Sequence, residues 1–293
     1  MTPDRVSSAE RSRRATLRRL SLRQSRPLAF YLLAVAVSFG FAFPFLVMLS
    51  TAVKPADEVF TLPPQFWPSS WHFENFGAAI SSMPFWRYLT NSFIVAGGAV
   101  VGTVLASPLV GYSLSKIRWR GRGPLTLLVL ATMMLPPQVT MIPVFLIWDR
   151  LGLTGTYVPL ILPAFFGTPF FIFLMRQFFL TVPDDLLEAA RLDGASELRT
   201  YWSIVLPTAR PALATIALFQ FLWSWTDFLN PLIYLQDQDR YTLSLGLYRF
   251  FSDHGVDWGP LMAASALFTA PALVIFLLGQ RYFVEGIATQ GFR

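Results

Sequence analysis

The stretch that decides the fold is YLTNSFIVAGGAVVGTVLASPLVGYSLS, Tyr88–Ser115, a run of 28 residues without a charged side chain. Arg87 precedes it and Lys116 follows it. A helix of roughly 20 mostly apolar residues is long enough to cross the hydrocarbon core of a bilayer. The run therefore predicts a membrane-spanning helix with a basic residue at each end.

The composition of the whole chain agrees with this prediction. Of the 293 residues, 54% are hydrophobic and only 14% are charged, whereas about 25% of residues are charged in a typical soluble domain. Such a chain is neither an ordinary soluble domain nor a disordered one. It contains no cysteine, which excludes disulfides, thiolate metal sites and cysteine nucleophiles.

Further apolar runs lie on both sides of the first. We predict an all-α membrane protein with six transmembrane helices, at about residues 28–53, 88–115, 124–148, 157–176, 211–235 and 259–280. The loop between the first two spans, residues 54–87, is rich in proline and tryptophan. We expect this loop to be non-helical and to lie along the outer headgroup surface.

The basic residues predict the orientation of the chain. Of its 23 lysines and arginines, 18 fall on the side that holds both termini and five on the other. Because cytoplasmic segments are enriched in lysine and arginine, both termini are predicted to be cytoplasmic. Residues 1–26 form a basic tail that faces anionic lipid, and residues 27–293 form the membrane domain. The net charge of +6 thus requires no nucleic acid partner.

The loop over residues 177–210 has the pattern of two short helices. Pro183 followed by two aspartates is a helix-start signal, and Gly194 ends the first helix. Ser196 and Glu197 predict the start of a second helix, over residues 196–206. A helix pair this small cannot form its own core, so it packs on the helix ends, on the lipid interface or on a cytoplasmic partner.

Several other patterns bear on chemistry. Gly98, Gly102 and Ala106 form a row of small residues, which predicts close helix packing. The two lysines, Lys54 and Lys116, lie outside any G-x-x-x-x-G-K-[ST] phosphate-binding loop, so we expect no ATPase site on this chain. The histidines are isolated from other ligand residues, and no metal site is predicted.

The loop sequence also resembles a known family. Residues Glu188–Ala195 (EAARLDGA), then Ile204–Pro207 and Pro211, resemble the EAA loop of permeases from binding-protein-dependent ABC importers. Further segments resemble the carbohydrate branch of that family, and the best likeness is to the smaller, six-span permease of maltose-type sugar importers. These segments are Lys54–Pro64, Asn91–Phe93, Gly111–Ser113, Leu135–Pro143, Trp225–Leu232 and Gln280–Gly286.

This resemblance implies a type I ABC importer permease fold in the bacterial cytoplasmic (inner) membrane. The implied partners are a second permease in a heterodimer, two cytoplasmic ATPase subunits and an extracytoplasmic sugar-binding protein, besides membrane lipid. ATP and Mg would be bound by the ATPase subunits, so that this chain is not itself an enzyme and holds no cofactor.

The resemblance also implies that the loop couples ATPase motion to the spans. The implied coupling residues are Glu188, Ala189, Ala190, Asp193, Gly194, Ala195, Leu206 and Pro207. Glu188 would offer a charged contact, and Ala189 with Ala190 would allow close approach of the ATPase. Gly194 would supply a turn conformation that other residues reach at a cost, which is equally what a simple helix terminator does.

A polar stripe on the fifth span is the second candidate site. Gln220, Ser224, Asp227 and Asn230 lie at spacings of four, three and three, on one face of a helix, with Trp223 close by. Because a carboxylate within a span is costly, this stripe and Trp223 predict a polar and aromatic lining of the translocation path. A helix–helix hydrogen bond or a position at the outer interface explains Asp227 equally well.

Three alternatives concern the function as a whole. A membrane scaffold or receptor could dock a cytoplasmic partner through residues 183–207, but it would have no need for a polar stripe on the fifth span. An autonomous secondary transporter usually contains internal repeats, and residues 28–150 show none with residues 151–281. A permease for a non-sugar solute would carry a similar loop, since only the weaker motifs point to carbohydrate.

Overall fold

The computed structural model describes residues 30–63, 65–252 and 255–288. The predicted basic tail over residues 1–26 lies outside the described residues. Helices make up most of this part of the chain, together with a short antiparallel hairpin of β1 (Phe251–Ser252) and β2 (Gly255–Val256). The helices are α1 (Phe30–Ala52), α2 (Glu74–Ser81), α3 (Phe85–Ser115), α4 (Arg122–Met133), α5 (Pro137–Arg150), α6 (Val158–Phe165), α7 (Pro169–Leu180), α8 (Asp184–Leu192), α9 (Glu197–Thr200), α10 (Leu206–Thr208), α11 (Arg210–Thr226), α12 (Leu229–Tyr234), α13 (Leu243–Gly246) and α14 (Trp258–Ala288).

Four helical segments are long and apolar enough to cross a membrane. They are Phe30–Ala52, Phe85–Ser115, Val158–Leu180 and Trp258–Gln280. Two further segments reach this length only as bent pairs, α4 with α5 and the helix Glu197–Thr208 with α11. Six spans, as predicted, result only if each bent pair crosses the membrane once, and the number six stays a prediction.

The predicted third span, residues 124–148, is not one straight helix. The axes of α4 and α5 differ by 102°, and the bend lies at Leu135 and Pro136. Pro136 has an extended backbone (φ −61°, ψ 132°), since a residue that precedes another proline is driven out of the helical region. Pro137 then occupies the first turn of α5, where its missing N–H costs nothing.

The predicted fifth span, residues 211–235, is also broken. Its helix α11 ends at Thr226, and Asp227 is extended (φ −66°, ψ 119°). The Asp227 carboxylate accepts hydrogen bonds from the backbone N–H of Asn230, at 3.2 Å, and from its Nδ2, at 2.8 Å. Such local bonds compete with continuation of a helix, so Asp227 separates α11 from α12.

The first loop and the first helix differ from the rest of the bundle. The loop over residues 54–87 contains α2 and a 3₁₀ turn at Ala56–Glu58, so the expectation of a non-helical segment is wrong. None of the most apolar stretch of α1 is buried within this chain. In a membrane, the surface of α1 has to be covered by lipid or by another chain.

The central helix is α3, which packs against α6, α7 and α11. A Cβ atom at Gly102 would lie 2.9 Å from the backbone nitrogen of Phe165, and one at Gly98 would lie 3.0 Å from the side chain of Ile161. Both neighbours belong to α6. The row of small residues therefore serves close helix packing, as predicted.

Candidate functional site

The loop over residues 177–210 folds into the two predicted helices. The first is α8, which begins directly after Pro183 with two aspartates in its first turn. The second begins at Ser196, whose Oγ accepts a hydrogen bond from the Arg199 backbone N–H at 3.4 Å. It runs over Glu197–Thr208 and includes a π-helical turn at Tyr201–Val205, two residues beyond the predicted end.

Gly194 makes the turn between these helices. Its φ is +78°, and a Cβ atom there would meet nothing within 4 Å. The position therefore requires glycine for its backbone conformation rather than for lack of space. The backbone N–H of Ala195 donates to the Ala190 carbonyl at 2.9 Å, which closes the end of α8 as a glycine-containing helix cap does.

The helix α8 buries one side and exposes the other. Leu187 and Ala190 are its buried residues, so Ala190 packs inside the chain and cannot form part of an outward contact surface. The other predicted coupling residues divide in the same way. Leu206 is half-buried against the apolar core, Ala195 is half-buried, and Glu188, Ala189, Asp193, Gly194 and Pro207 are exposed.

Several large apolar side chains are exposed on the two helices of this loop, and the sequence did not predict their exposure. Leu192 is 89% exposed, and Leu186, Leu198 and Trp202 are also exposed. The sequence pattern groups Leu186 and Leu192 with Leu187 and Ala190 in one apolar stripe. Only the last two face the core, and the signal that could have separated them is the angular position of each residue on the helix.

The inner side of the loop contacts the end of α3. Lys116 Nζ donates to Asp184 Oδ1 and to the Val182 carbonyl, both at 2.6 Å. The Tyr112 hydroxyl donates to Glu197 Oε2 at 3.1 Å. Arg191 Nη2 lies 2.8 Å from Glu197 Oε1. Lys116, Asp184, Arg191 and Glu197 line a polar cavity of about 490 Å³.

The charges around this cavity act on Asp184. The Lys116 ammonium holds the pKa of the Asp184 carboxyl below its usual value, first by its hydrogen bond and then by its charge. Arg118 and Arg191 add smaller effects in the same direction. Asp184 is thus ionised throughout the neutral pH range.

A second polar cavity, of about 260 Å³, is lined by residues of α5, α6, α11 and α12. Gln220, Asp227 and Asn230 line it, although the end of α11 at Thr226 means that they do not share one helix face. Gln220 Oε1 accepts a hydrogen bond from Thr103 Oγ1 at 3.0 Å, and its Nε2 donates to Ser224 Oγ at 2.8 Å. Ser224 supports Gln220 and is not part of the lining.

The aromatic lining of this cavity differs from the predicted one. Trp223 lies outside the lining and packs against Phe170 and Phe171, with ring centroids 5.5 Å and 4.9 Å away. Trp148 and Tyr234 line the cavity instead. Trp148 comes from α5, which no local pattern links to α11, and Tyr234 comes from α12, which follows α11 directly.

The described residues hold no group of three or more histidine or acidic side chains that could bind a metal ion. The two candidate sites are the exposed side of the 177–210 loop and the polar cavity beside Gln220.

Comparison with known proteins gives consistent results for the whole chain. Residues 98–289 match the family model described as binding-protein-dependent transport system inner membrane component. The probable ABC transporter permease protein YurM of Bacillus subtilis (strain 168) is 38% identical, covering 89% of this chain and 85% of that protein. The arabinooligosaccharides transport system permease protein AraQ of Halalkalibacterium halodurans is 33% identical, covering 92% and 98%. The sn-glycerol-3-phosphate transport system permease protein UgpE of Yersinia pestis is 35% identical, covering 84% and 90%.

A solved structure supports the same relationship. A chain of a bacterial ABC transporter involved in the import of the acidic polysaccharide alginate superimposes with a TM-score of 0.77 at 26% identity. The match covers 87% of this chain and 95% of that chain. The similarity therefore extends over nearly the whole membrane domain.

Proposed function

The chain belongs to the family of inner membrane components of binding-protein-dependent transport systems, as a permease subunit of an ABC importer, and from this we propose that it imports a carbohydrate. The resemblance predicted from residues 188–211 is confirmed by the family match. An autonomous secondary transporter is not supported, because the matched relatives are ABC permeases over nearly their full length.

The observation that supports coupling to a cytoplasmic ATPase subunit is the exposed side of the 177–210 loop, on α8 and on the helix Glu197–Thr208. Apolar side chains such as Leu192 and Trp202 stay uncovered by the chain itself, although burying such groups is favourable. Glu188 and Ala189, on the same helix as Leu192, and Asp193 at its C-terminal end are also exposed. A cytoplasmic ATPase subunit that covers this surface would use it as the coupling surface, with Gly194 fixing the angle between α8 and the helix that leads to α11.

The assembly that follows contains four further subunits. A second permease pairs with this chain, two ATPase subunits bind ATP and Mg, and an extracytoplasmic protein delivers the solute. Both termini then face the cytoplasm of a bacterium, and the chain lies in the inner membrane. The family description, with its binding-protein dependence, supports this arrangement.

The cavity beside Gln220 is the proposed part of the solute path on this chain. Gln220, Asp227 and Asn230 provide hydrogen-bonding groups that match hydroxyls, and Trp148 and Tyr234 provide ring faces on which sugars stack. Ser224 holds Gln220 in place. Trp223 is excluded from direct contact with solute in this proposal, since it packs on α7.

A non-sugar solute is the second candidate, because one relative is named for transport of sn-glycerol 3-phosphate. The test is purification of the complex from native membranes, followed by reconstitution with the binding protein. A panel of arabino-oligosaccharides, maltodextrins, alginate oligosaccharides and glycerol 3-phosphate is then screened for stimulated ATP hydrolysis. Stimulation by a sugar supports the proposal, and stimulation by glycerol 3-phosphate alone contradicts it.

The role of the loop is tested with Gly194→Val in the same complex. Gly152→Val is the matched control, because Gly152 has a similar φ of +67° and also has open space around it. Both substitutions carry a similar backbone strain of about 1–2 kcal/mol. We expect only Gly194→Val to abolish stimulation of the ATPase by the loaded binding protein. Equal behaviour of the two variants would show that Gly194 is only a helix terminator.

A further inference from the structure

The helix α8 is attached to the end of α3 at both of its own ends. At its first residue, Asp184, the contact is the Lys116 ammonium, which also binds the Val182 carbonyl just before the helix. The Lys116 side chain is only 6% exposed. Its position is therefore fixed by the surrounding packing, and Asp184 is held at a defined point of α3.

In its last turn, α8 is attached through a second residue. Arg191 pairs with Glu197, and the same carboxylate accepts the hydrogen bond of the Tyr112 hydroxyl. The Tyr112 side chain is 2% exposed and packs between Phe179, at 6.0 Å, and Tyr201, at 5.2 Å between ring centroids. The Tyr112 hydroxyl thus links α3 to the loop through its hydrogen bond to Glu197.

The end of α3 is in turn rigidly joined to α7. A Cβ atom at Gly111 would lie 2.9 Å from Met175 Cβ and 3.0 Å from the backbone nitrogen of Arg176. Arg176 Nε donates to the Leu114 carbonyl at 3.3 Å. Because such close backbone packing does not deform continuously, a displacement passed to Tyr112 and Lys116 moves α3 and α7 together.

The same helix reaches the polar cavity. Thr103 lies nine positions before Tyr112 on α3, which is about 14 Å along the helix axis. Its hydroxyl holds Gln220, one of the cavity-lining residues. A continuous set of contacts therefore runs from both ends of α8, along α3, to the lining of the cavity.

We propose that Tyr112 and Lys116 are positioning residues that fasten the two ends of α8 to α3, so that displacement of α8 changes the cavity beside Gln220. This inference rests on the proposed function, since it assumes that a partner ATPase moves α8. Each contact is a side-chain bond that a single substitution removes without altering the surface of α8.

Because the chain contains no cysteine, a single introduced cysteine can report on the cavity. Val144 lines the cavity, and Val144→Cys supplies one thiol whose labelling by a maleimide is followed on this chain by gel electrophoresis. The labelling rate is measured in the reconstituted complex without nucleotide and after trapping with MgATP and vanadate. ATP hydrolysis is measured in parallel.

In this background, Tyr112→Phe removes only the hydroxyl that binds Glu197. The matched control is Tyr201→Phe, because Tyr201 is equally buried, lies beside Tyr112, and has no hydrogen bond to the loop acids among the described contacts. We expect Tyr112→Phe to keep ATP hydrolysis and to reduce the nucleotide-dependent change in labelling rate roughly five-fold, the low end of ordinary coupling effects. Tyr201→Phe should leave this change intact.

Glu197→Gln provides a second variant in case Tyr112→Phe fails to assemble, since Glu197 is exposed. It should also reduce the labelling change, and the double variant should add little to either single one. A lower thermal stability of Tyr112→Phe or Glu197→Gln with an unchanged labelling response would mean a merely structural role and would overturn the inference.

Failure of the proposed function gives a different result. In that case the complex with the wild-type Tyr112 shows no nucleotide-dependent labelling change and no ATP hydrolysis, which overturns both proposals. If the inference alone fails, this complex responds to nucleotide and so does Tyr112→Phe.

Discussion

The two ends of α3 are held in different ways. At the end near Phe85, called the opposite end, Asn91 Nδ2 donates to the carbonyls of Asp239 and Tyr241, both at 2.9 Å. The backbone N–H of Leu243 donates to Ser92 Oγ at 2.8 Å. At the end near Ser115, called the loop end, the contacts include charge-assisted bonds between side chains, from Lys116 to Asp184 and from Tyr112 to Glu197.

This difference indicates at which end of α3 the hydrogen bonds are costly to break and at which end they can break and re-form. Asn91 and Ser92 are buried neutral residues that bind backbone groups, so breaking their bonds leaves buried polar groups without partners. At the loop end, the side chains of Lys116 and Tyr112 are buried, but their partners Asp184 and Glu197 are exposed, and water can replace the lost partner of an exposed group at a small cost. We therefore expect the opposite end to stabilise the fold and the loop end to transmit motion.

The largest expected effect tests whether the loop end of α3 is rigidly packed on α7. Gly111→Val places side-chain atoms against the Arg176 backbone, which cannot move aside without displacing α7. We expect no assembled complex, as measured by size-exclusion chromatography after solubilisation. Gly97→Val is the control on the same helix, because a Cβ atom at Gly97 meets nothing within 4 Å. Normal assembly of both variants would contradict the rigid packing of the loop end of α3 on α7.

The next largest effect is expected at the opposite end. Asn91→Ala leaves the carbonyls of Asp239 and Tyr241 without their buried donor. We expect the free energy of unfolding to fall by about 1–3 kcal/mol, measured by thermal or denaturant unfolding in detergent. The exposed neighbour Thr90→Ala should have little effect. An Asn91→Ala variant that stays stable but uncouples ATP hydrolysis from the cavity would reverse the proposed roles of the two ends.

A smaller effect on stability is expected for Lys116→Met at the loop end. Because Lys116 lowers the pKa of Asp184, the pair stabilises the fold above the ordinary pKa of an aspartate and loses this contribution as pH falls through the lowered pKa. The stability difference between wild type and Lys116→Met should then be constant across the neutral range. It should shrink only below about pH 4.

Unfolding curves of both proteins over a series of pH values provide this measurement. In an Asp184→Asn background the difference should no longer depend on pH in the acid range, and only the contribution of the Lys116 bond to the Val182 carbonyl should remain. A difference that disappears between pH 8 and pH 6 would show that a group other than Asp184 pairs with Lys116.

The smallest effect is expected for Arg87→Ala. Arg87 pairs with Asp239 at the opposite end, and both side chains are largely exposed. Such pairs contribute about 1 kcal/mol or less and are weakened by salt. We expect a slight drop in melting temperature at low ionic strength that vanishes in high salt. A drop as large as that of Asn91→Ala would show that this end also depends on charge.

Much of the loop could be predicted from its sequence. Pro183 with its aspartates, Gly194 and Ser196 mark helix ends that depend on neighbouring residues alone. The face of each apolar residue was less predictable. Ala190 lies inside while Leu192 lies outside, which is decided by where α3 and α7 pass beneath the loop.

The polar cavity could be predicted only in part. The group of Gln220, Asp227 and Asn230 is visible in the sequence, yet the continuous helix assumed for it ends at Thr226. Trp148 and Tyr234 complete the lining; Tyr234 lies in the same predicted span as Gln220, but Trp148 lies far from it along the chain. The lining residues come from α5, α6, α11 and α12, so their placement depends on how these helices pack.

The sequence by itself determined that this chain lies in a membrane, that α3 presents small residues to a neighbour, and that two short helices follow Pro183. These features follow from composition, spacing and local backbone preference. The tertiary structure alone decided that Tyr112 binds Glu197, 85 residues away, and that Lys116 binds Asp184. Such contacts depend on the relative placement of helices, which is set by packing across the whole bundle. No periodic sequence pattern encodes this placement.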